Sequence, residues 1–298
     1  MTIKASQVKE LRQATGVGMM ECKKALVETS GDLQKAIVWL RERGLSRAQK
    51  KAGRTAAEGI ISLALSSDNK AACLVEINCE TDFAAKNADF LSFANEMASL
   101  ALESKVTDIE SLKAQAYKGS TVAEQLTQLI AKVGENMNLR RLKLIEASAE
   151  GFVVAYDHMQ GKIGSLVALK GEFSEQGKEL GLDLAMHVAA AAPRYLDRTL
   201  VKAEELEQEK EIARNNLKKQ GKPDELIEKI LLGQVNKFYG EVTFVDQPFI
   251  KEPKLSVTKY VQQSGLKLEI ADYARFQLGD GIEVEKKDFA QEVSDQLK

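Results

Sequence analysis

The stretch that decides the fold is "GIISLALSSDNKAACLVEIN", residues 59–78. Apolar residues alternate with smaller or polar ones on both sides of "SDNK", and a period of two is typical of strands. Two such runs joined by a short polar segment predict a β-hairpin. The second strand carries Cys73 and Cys79, which by parity point to the same face. With Cys22 they make an odd number without a CxxC motif, which argues against a disulfide framework and a zinc site.

The segment that follows, "EINCETDFAAK" (76–86), begins as a strand and ends as something else. Ile77 lies between polar residues, as in a half-buried strand, but Phe83 comes directly after Asp82 in the connection to a helix. Phe83 therefore either packs on its own core or contacts a partner. Two helices follow, one apolar from Phe90 to Leu100 and one from about 120 to 133, and "LRRLKLIEA" (139–147) predicts a strand. The unit is of α+β type.

A second unit of the same kind begins near Gly151. "GFVVAYDH" (151–158) and "IGSLVALKG" (163–171) predict another hairpin, and "GLDLAMHVAAAA" (181–192) predicts its helix. Two further strands are expected in "EVTFVDQPFI" (241–250) and "LEIADYARFQLG" (268–279). The repeated order of hairpin and helix indicates a diverged internal duplication.

A helical hairpin interrupts the second unit. "VKAEELEQEKEIARNNLKKQ" (201–220) is a highly charged helix, and "GKPD" ends it because Gly stops helices and Pro starts them. The return helix carries an apolar stripe of Leu226, Ile227, Ile230, Leu231 and Val235. The first arm is too polar to be buried on all sides, so the hairpin is expected to project.

Residues 1–56, here called the head, predict three short helices. Ser6 and Asp32 are expected to cap the first and third helices, while Gly16 and Gly44 are expected to end them. The head contains 12 Lys/Arg and 5 Asp/Glu, a net charge of +7, whereas the whole chain has −2. A solvated helical face explains this charge, and RNA or ribosome binding by the head is the alternative.

Composition and missing motifs exclude several classes of function. The chain has 298 residues, 44% hydrophobic, without an apolar run long enough to cross a membrane and without a signal-peptide core, so a cytoplasmic protein is expected. No Gly-Lys pair is followed by Ser or Thr, and no nucleophile elbow, HExxH or EF-hand pattern occurs. We expect neither an enzyme nor a cofactor or metal site.

Two stretches, "LRQATGVGMMECKKAL" (11–26) and "EINCETDFAAK" (76–86), resemble the two signatures of the bacterial translation elongation factor Ts family. The resemblance continues in order through "KKAG" (50–53), "VGEN" (133–136), "AMHVAA" (185–190), "GKP" (221–223) and "QPF" (247–249). One departure is Ala84, where the family has Val after the Thr-Asp-Phe triplet.

The resemblance implies an α+β fold with five parts. These are a three-helix head similar to ubiquitin-associated (UBA) domains with its linker (1–56), a first core subdomain (57–147), a second core subdomain (148–192 and 239–279), an inserted antiparallel coiled-coil hairpin (193–238) and a C-terminal helical module (280–298). It leaves open a homodimer or a 2:2 complex with the partner.

The resemblance also implies a function. Family members release GDP from elongation factor Tu, a GTPase, and bind no nucleotide themselves. Asp82 and Phe83 would enter near the partner's Mg²⁺ site. The remaining residues implied to contact the partner are Thr81, Ala84, Val133, Gly134, Glu135, Asn136, His158, Met19, Met20 and Lys23. For Met19 and Met20, packing inside the head is the alternative, and for His187 a buried helix position is the alternative to contact.

Overall fold

The computed structural model describes residues 3–283 as a mixed helix and strand structure, which confirms the α+β class. The helices are α1 (Ala5–Thr15), α2 (Met19–Glu28), α3 (Leu33–Lys51), α4 (Asp82–Ala85), α5 (Ala88–Glu103), α6 (Ile109–Ala114), α7 (Val122–Val133), α8 (Glu175–Ala191), α9 (Ala203–Lys219), α10 (Asp224–Val242) and α11 (Val257–Gln263). The strands are β1 (Glu58–Leu65), β2 (Ala71–Cys79), β3 (Ala116–Tyr117), β4 (Ser120–Thr121), β5 (Met137–Glu146), β6 (Gly151–His158), β7 (Ile163–Lys170), β8 (Pro248–Phe249), β9 (Glu252–Ser256) and β10 (Glu269–Gln277).

Both predicted hairpins are present, and each gains a third strand. The first sheet has the order β1-β2-β5 and the second has the order β10-β7-β6, all antiparallel. In both sheets the second strand of the hairpin is central, and the strand that arrives last in the sequence pairs with it. The two units therefore share one connectivity, as the repeat of hairpin and helix in the sequence suggested.

The two sheets pack against each other, and helices cover their outer faces. Side chains such as Leu74 from the first sheet and Leu166 from the second fill the space between them. Cys73, Val75, Ile77 and Cys79 point the other way, into a core made with α5 and α7, as parity predicted. Strand β2 is thus buried on both faces, so Glu76 and Asn78 are buried as well, where the sequence predicted a half-buried strand.

The helical hairpin is formed by α9 and α10, and Gly221 and Pro223 lie in the turn between them as predicted. Leu217 packs with Ile227 and Leu231 in its seam. Leu226 does not belong to the buried stripe, since 41% of it is exposed. At its base, Arg198, which precedes α9, donates two hydrogen bonds of 2.9 Å to Asp246, which follows α10, and these bonds join the two ends of the hairpin.

The head packs on α7 through α3, and two expectations about its helices are wrong. Lys4, not Ser6, precedes α1 as its N-cap, whereas Asp32 caps α3 as predicted. Gly44 does not end α3, which continues to Lys51. A Cβ at Gly44 would lie 3.3 Å from the Cβ of Ala131, so this glycine permits the close approach of α3 and α7.

Within the segment 241–250 only Pro248–Phe249 (β8) forms a strand, where the sequence predicted one continuous strand. Helix α10 continues to Val242, and the packing of Phe244 and Phe249 in the second core overrides the β pattern. The helix expected over 280–298 lies almost wholly outside the described residues. Within residues 3–283, no helix is both long and apolar enough to cross a membrane.

Candidate partner interface

The most exposed aromatic side chain that the structure describes, Phe83, stands on a single helical turn. We call residues 81–86 the Phe83 turn. Thr81 caps it, and its hydroxyl accepts a hydrogen bond of 3.2 Å from the N–H of Ala84. The side chains of Ala84 and Ala85 enter the first core, whereas Phe83 is 81% exposed. The turn therefore buries its small apolar residues and exposes its large one.

A loop from another part of the chain braces the start of this turn. We call residues 134–136 the bracing loop. Glu135 accepts two hydrogen bonds from Thr81, one of 3.0 Å from its N–H and one of 2.7 Å from its hydroxyl. Glu80 accepts a bond of 2.5 Å from the N–H of Asn136. The structure thus brings together two groups of predicted site residues that lie 54 positions apart.

Asp82 and Lys86 form an ion pair on the outer side of the turn. The Lys86 ammonium lies 2.7 Å from an Asp82 carboxylate oxygen and 6.0 Å from the centre of the Phe83 ring. The hydrogen bond from Lys86 lowers the pKa of Asp82 below its ordinary value. Both side chains are partly exposed, so a partner that binds Asp82 would compete with Lys86. The sequence reasoning did not identify Lys86.

Some of the predicted contact residues point inward. Ala84 is buried in the first core, so a valine at this position would change the packing below the turn and not the outer surface. Asn136 is also buried, and its side-chain amide donates a bond of 2.8 Å to the carbonyl of Arg54. Val133 packs partly on the same core, and Gly134 ends α7 with a φ of +89°.

The head presents the predicted residues on its surface. Met19 and Met20 are 57% and 74% exposed, which excludes the alternative that they form the core of the head. Lys23 is exposed on the same helix. Three arginines of the head form ion pairs with carboxylates: Arg41 with Glu124, Arg43 with Glu21 and Arg54 with Glu80. These cations are less free to bind a polyanion than the net charge suggested.

His158 lies at the end of β6. Its Nδ1 is 3.0 Å from the hydroxyl of Tyr156. The next residue, Met159, is 68% exposed on the β6–β7 turn, a feature that the sequence reasoning missed. This turn is fixed to β1, because Lys162 bonds Glu58 at 2.9 Å. Glu58 pairs with Cys79, two residues before the Phe83 turn, so the β6–β7 turn is connected to the strand that leads into the Phe83 turn.

The buried polar residues have structural roles. His187 is fully buried, with Nε2 2.9 Å from Gln247, which favours the alternative of a satisfied helix histidine. Burial raises the pKa of Cys73 and Cys79 to about 12, so neither thiol is an activated nucleophile. Among residues 3–283, no group of three or more His, Cys, Asp or Glu side chains could hold a metal ion.

The fold and the site define a class of protein. An α+β chain that displays an aromatic side chain on a braced turn, and exposed methionines on its head and on its β6–β7 turn, has the features of a protein that acts by contact with another macromolecule.

Comparisons with known proteins give the family. The family model for elongation factor Ts matches residues 80–280. Elongation factor Ts from Magnetococcus marinus is 47% identical over 302 residues, covering 99% of this chain and 98% of the relative. Elongation factor Ts from Syntrophotalea carbinolica is 48% identical over 309 residues, with 100% of both chains covered. The chain belongs to the elongation factor Ts family, and its role is in translation elongation.

Proposed function

We propose that this chain is a guanine-nucleotide exchange factor for elongation factor Tu. It binds elongation factor Tu with GDP bound, disturbs its Mg²⁺ and phosphate site and promotes GDP release so that GTP can bind. The observation that carries the proposal is Phe83, an 81% exposed aromatic ring on a turn that is capped, braced and anchored in the core. Family membership supports the choice of partner.

The thermodynamics of exchange define what the chain must do. Nanomolar binding of GDP corresponds to about −12 kcal/mol, and the exchange factor need not touch the nucleotide to oppose it. It must bind the nucleotide-free partner more tightly than the loaded one, because coupling between two ligands is reciprocal. An acceleration of ~10⁴-fold needs about 5.5 kcal/mol of such preference.

Phe83 supplies part of this preference as a wedge. Burial of one phenylalanine contributes roughly 1.5–3 kcal/mol, and the contribution favours exchange only if the receiving slot exists in the open partner. The ring is already exposed and its turn already formed, so little ordering is required on binding. Asp82 then exchanges its ion pair with Lys86 for donors of the partner near the Mg²⁺ site.

Other surfaces complete the interface in this proposal. Met19, Met20 and Lys23 of the head bind a helix of elongation factor Tu, and His158 with Met159 faces another of its domains. The chain itself binds no nucleotide and catalyses no chemical reaction. The five-part division stated above, with a UBA-like head and a coiled-coil insertion, belongs to the same proposal, as does a homodimer or a 2:2 complex.

The test is release of fluorescent GDP from purified elongation factor Tu. We expect Phe83→Ala to slow the stimulated release roughly 10- to 100-fold, because the lost burial corresponds to that factor. The matched control is Leu65→Ala, which removes another exposed apolar side chain at the opposite end of the β1–β2 hairpin and should leave release unchanged.

Phe83→Leu keeps most of the apolar volume and should lie between wild type and Phe83→Ala. If Phe83→Ala and Asp82→Ala proteins stimulate release as well as wild type, the wedge mechanism is wrong. If the wild-type chain does not accelerate release at all, the exchange function is wrong.

A further inference from the structure

Both oxygens of the Glu135 carboxylate are used inside the molecule. Oε2 accepts from the Thr81 N–H at 3.0 Å, and Oε1 accepts from the Thr81 hydroxyl at 2.7 Å. The same hydroxyl accepts from the N–H of Ala84 at 3.2 Å, so its single hydrogen and one of its lone pairs are engaged. One carboxylate thus binds both donor groups of the residue that caps the Phe83 turn.

The bracing loop that carries Glu135 is itself anchored on several sides. Gly134 ends α7 in the left-handed conformation, and its carbonyl accepts a bond from Lys51 at the end of α3. Asn136 is joined to Glu80 through its N–H and to the Arg54 carbonyl through its side chain. These bonds fix the position of Thr81 relative to α7 and to the last residues of the head.

Phe83 has little packing of its own to fix its direction. Its ring is 81% exposed, and the ion-paired Lys86 lies 6.0 Å from its centre. The direction of the ring consequently follows from the backbone of α4. Ala84 and Ala85 hold one side of that backbone in the core, and the cap at Thr81 holds its start.

We infer that Glu135 is a positioning residue for Phe83, which acts through Thr81 and does not touch the partner. The inference rests on the proposed exchange function, since it concerns how the wedge enters elongation factor Tu. A Phe83 ring that is already held in one direction does not have to be ordered on binding. A ring that points in the wrong direction would reduce the rate of GDP release steeply. Glu135 thus sets the efficiency of exchange from inside the chain.

The test is a double-mutant cycle in the GDP-release assay with Glu135→Ala, Phe83→Ala and the combined variant. Glu135→Ala should slow stimulated release about tenfold, as expected for loss of hydrogen bonds to a charged acceptor. In the Phe83→Ala background the same change should alter release less than about twofold, because the group that Glu135 positions is gone. An equal slowing in both backgrounds means direct contact with the partner and overturns the inference.

Two variants separate positioning from general damage. Glu103→Ala removes an exposed glutamate ~22 Å along α5 from its start, and it should match wild type in release and in melting temperature. Glu135→Gln keeps one oxygen for the Thr81 N–H and should recover part of the rate. The role of the hydrogen bond is overturned if Glu135→Gln recovers none of the release rate while its binding to nucleotide-free elongation factor Tu is unchanged.

If Glu135→Ala does not fold, Thr81→Val tests the same route by removing only the hydroxyl. It should slow release in the wild-type background and not in the Phe83→Ala background, and additive effects overturn the inference. If Phe83→Ala alone leaves release unchanged, the proposed wedge fails. If Phe83→Ala slows release and Glu135→Ala does not, only the positioning role fails.

Discussion

Glu76 provides a prediction whose size follows from the structure. Its side chain is fully buried between the two sheets, and its Oε1 accepts hydrogen bonds from Arg140 at 2.9 Å and from the Gly279 N–H at 2.9 Å. Its Oε2 accepts from Arg141. A register shift in the pairing of β2 with β5 places two consecutive arginines against this one carboxylate. Glu76 therefore joins the first sheet to the end of β10.

Replacement of Glu76 by Ala leaves two arginines in a partly buried place without their acceptor. Removing one partner of a buried ion pair destabilises proteins by about 3–5 kcal/mol. For a folded unit of 150–250 residues, each kcal/mol lowers the melting temperature by about 2–4 °C. We thus expect Glu76→Ala to melt roughly 6–20 °C below wild type.

The ionic character of the site gives a second readout. Burial alone would raise the pKa of Glu76, but the bonds from Gly279, Arg141, Asn78 and Arg140 outweigh it and lower the pKa below its ordinary value. A lowered pKa in the folded state means that the stabilisation is complete above the pKa of the unfolded chain, about 4.3. It is lost as the pH falls through the folded-state value, and Glu76→Gln should be less sensitive to this acid range than wild type.

The assay is thermal unfolding followed by circular dichroism. The matched control is Glu146→Ala, which removes a glutamate of β5 that forms an exposed ion pair with Lys105 and should leave the melting temperature close to that of wild type. If Glu76→Ala melts no lower than Glu146→Ala, the reasoning from the buried cluster is refuted.

Two further predictions concern packing and pH. Burial lowers the pKa of His187, so the folded protein keeps it neutral and should lose stability as the pH falls below the unfolded value of about 6.5. The melting temperature from pH 7.5 to 5.5 should fall less steeply in His187→Gln, and equal slopes would contradict this. Gly44→Leu should destabilise the α3–α7 contact by about 1–3 kcal/mol, while Gly44→Ala needs only a small shift of Ala131 and gains helix propensity. Proteolysis of the head measures the difference, and equal rates in the two variants would refute it.

Strong periodicity made much of the fold predictable. The alternation in 59–78 and 151–171 gave both sheets their hairpins, and the apolar stripes gave α5, α7 and α8. These segments are long and their patterns agree with their tertiary environment. The segment 241–250 shows the opposite case, because the packing of Phe244 and Phe249 in the second core outweighs its β-forming composition, and only Pro248–Phe249 forms a strand.

Contacts between distant residues could not be read from the sequence. Nothing in the sequence around Gly44 indicates that it contacts Ala131. A glycine late in a helical pattern therefore predicts the end of the helix, whereas in the structure it marks the contact of α3 with α7. The same holds for Glu135 and Thr81, whose pairing depends on where α7 ends relative to β2. The sequence alone indicated Phe83 as a contact residue, but the hydrogen bonds from Thr81 to Glu135 that hold its turn became visible only in the folded structure.

The central claim is that Phe83 distinguishes two states of its partner. Calorimetric titration of wild type and Phe83→Ala against elongation factor Tu, once without nucleotide and once with GDP and Mg²⁺, tests it most directly. We predict that Phe83→Ala weakens binding to the nucleotide-free form roughly 10- to 100-fold and leaves binding to the GDP form unchanged. Equal weakening of both would contradict the claim, because Phe83 would then be a uniform contact that cannot drive release.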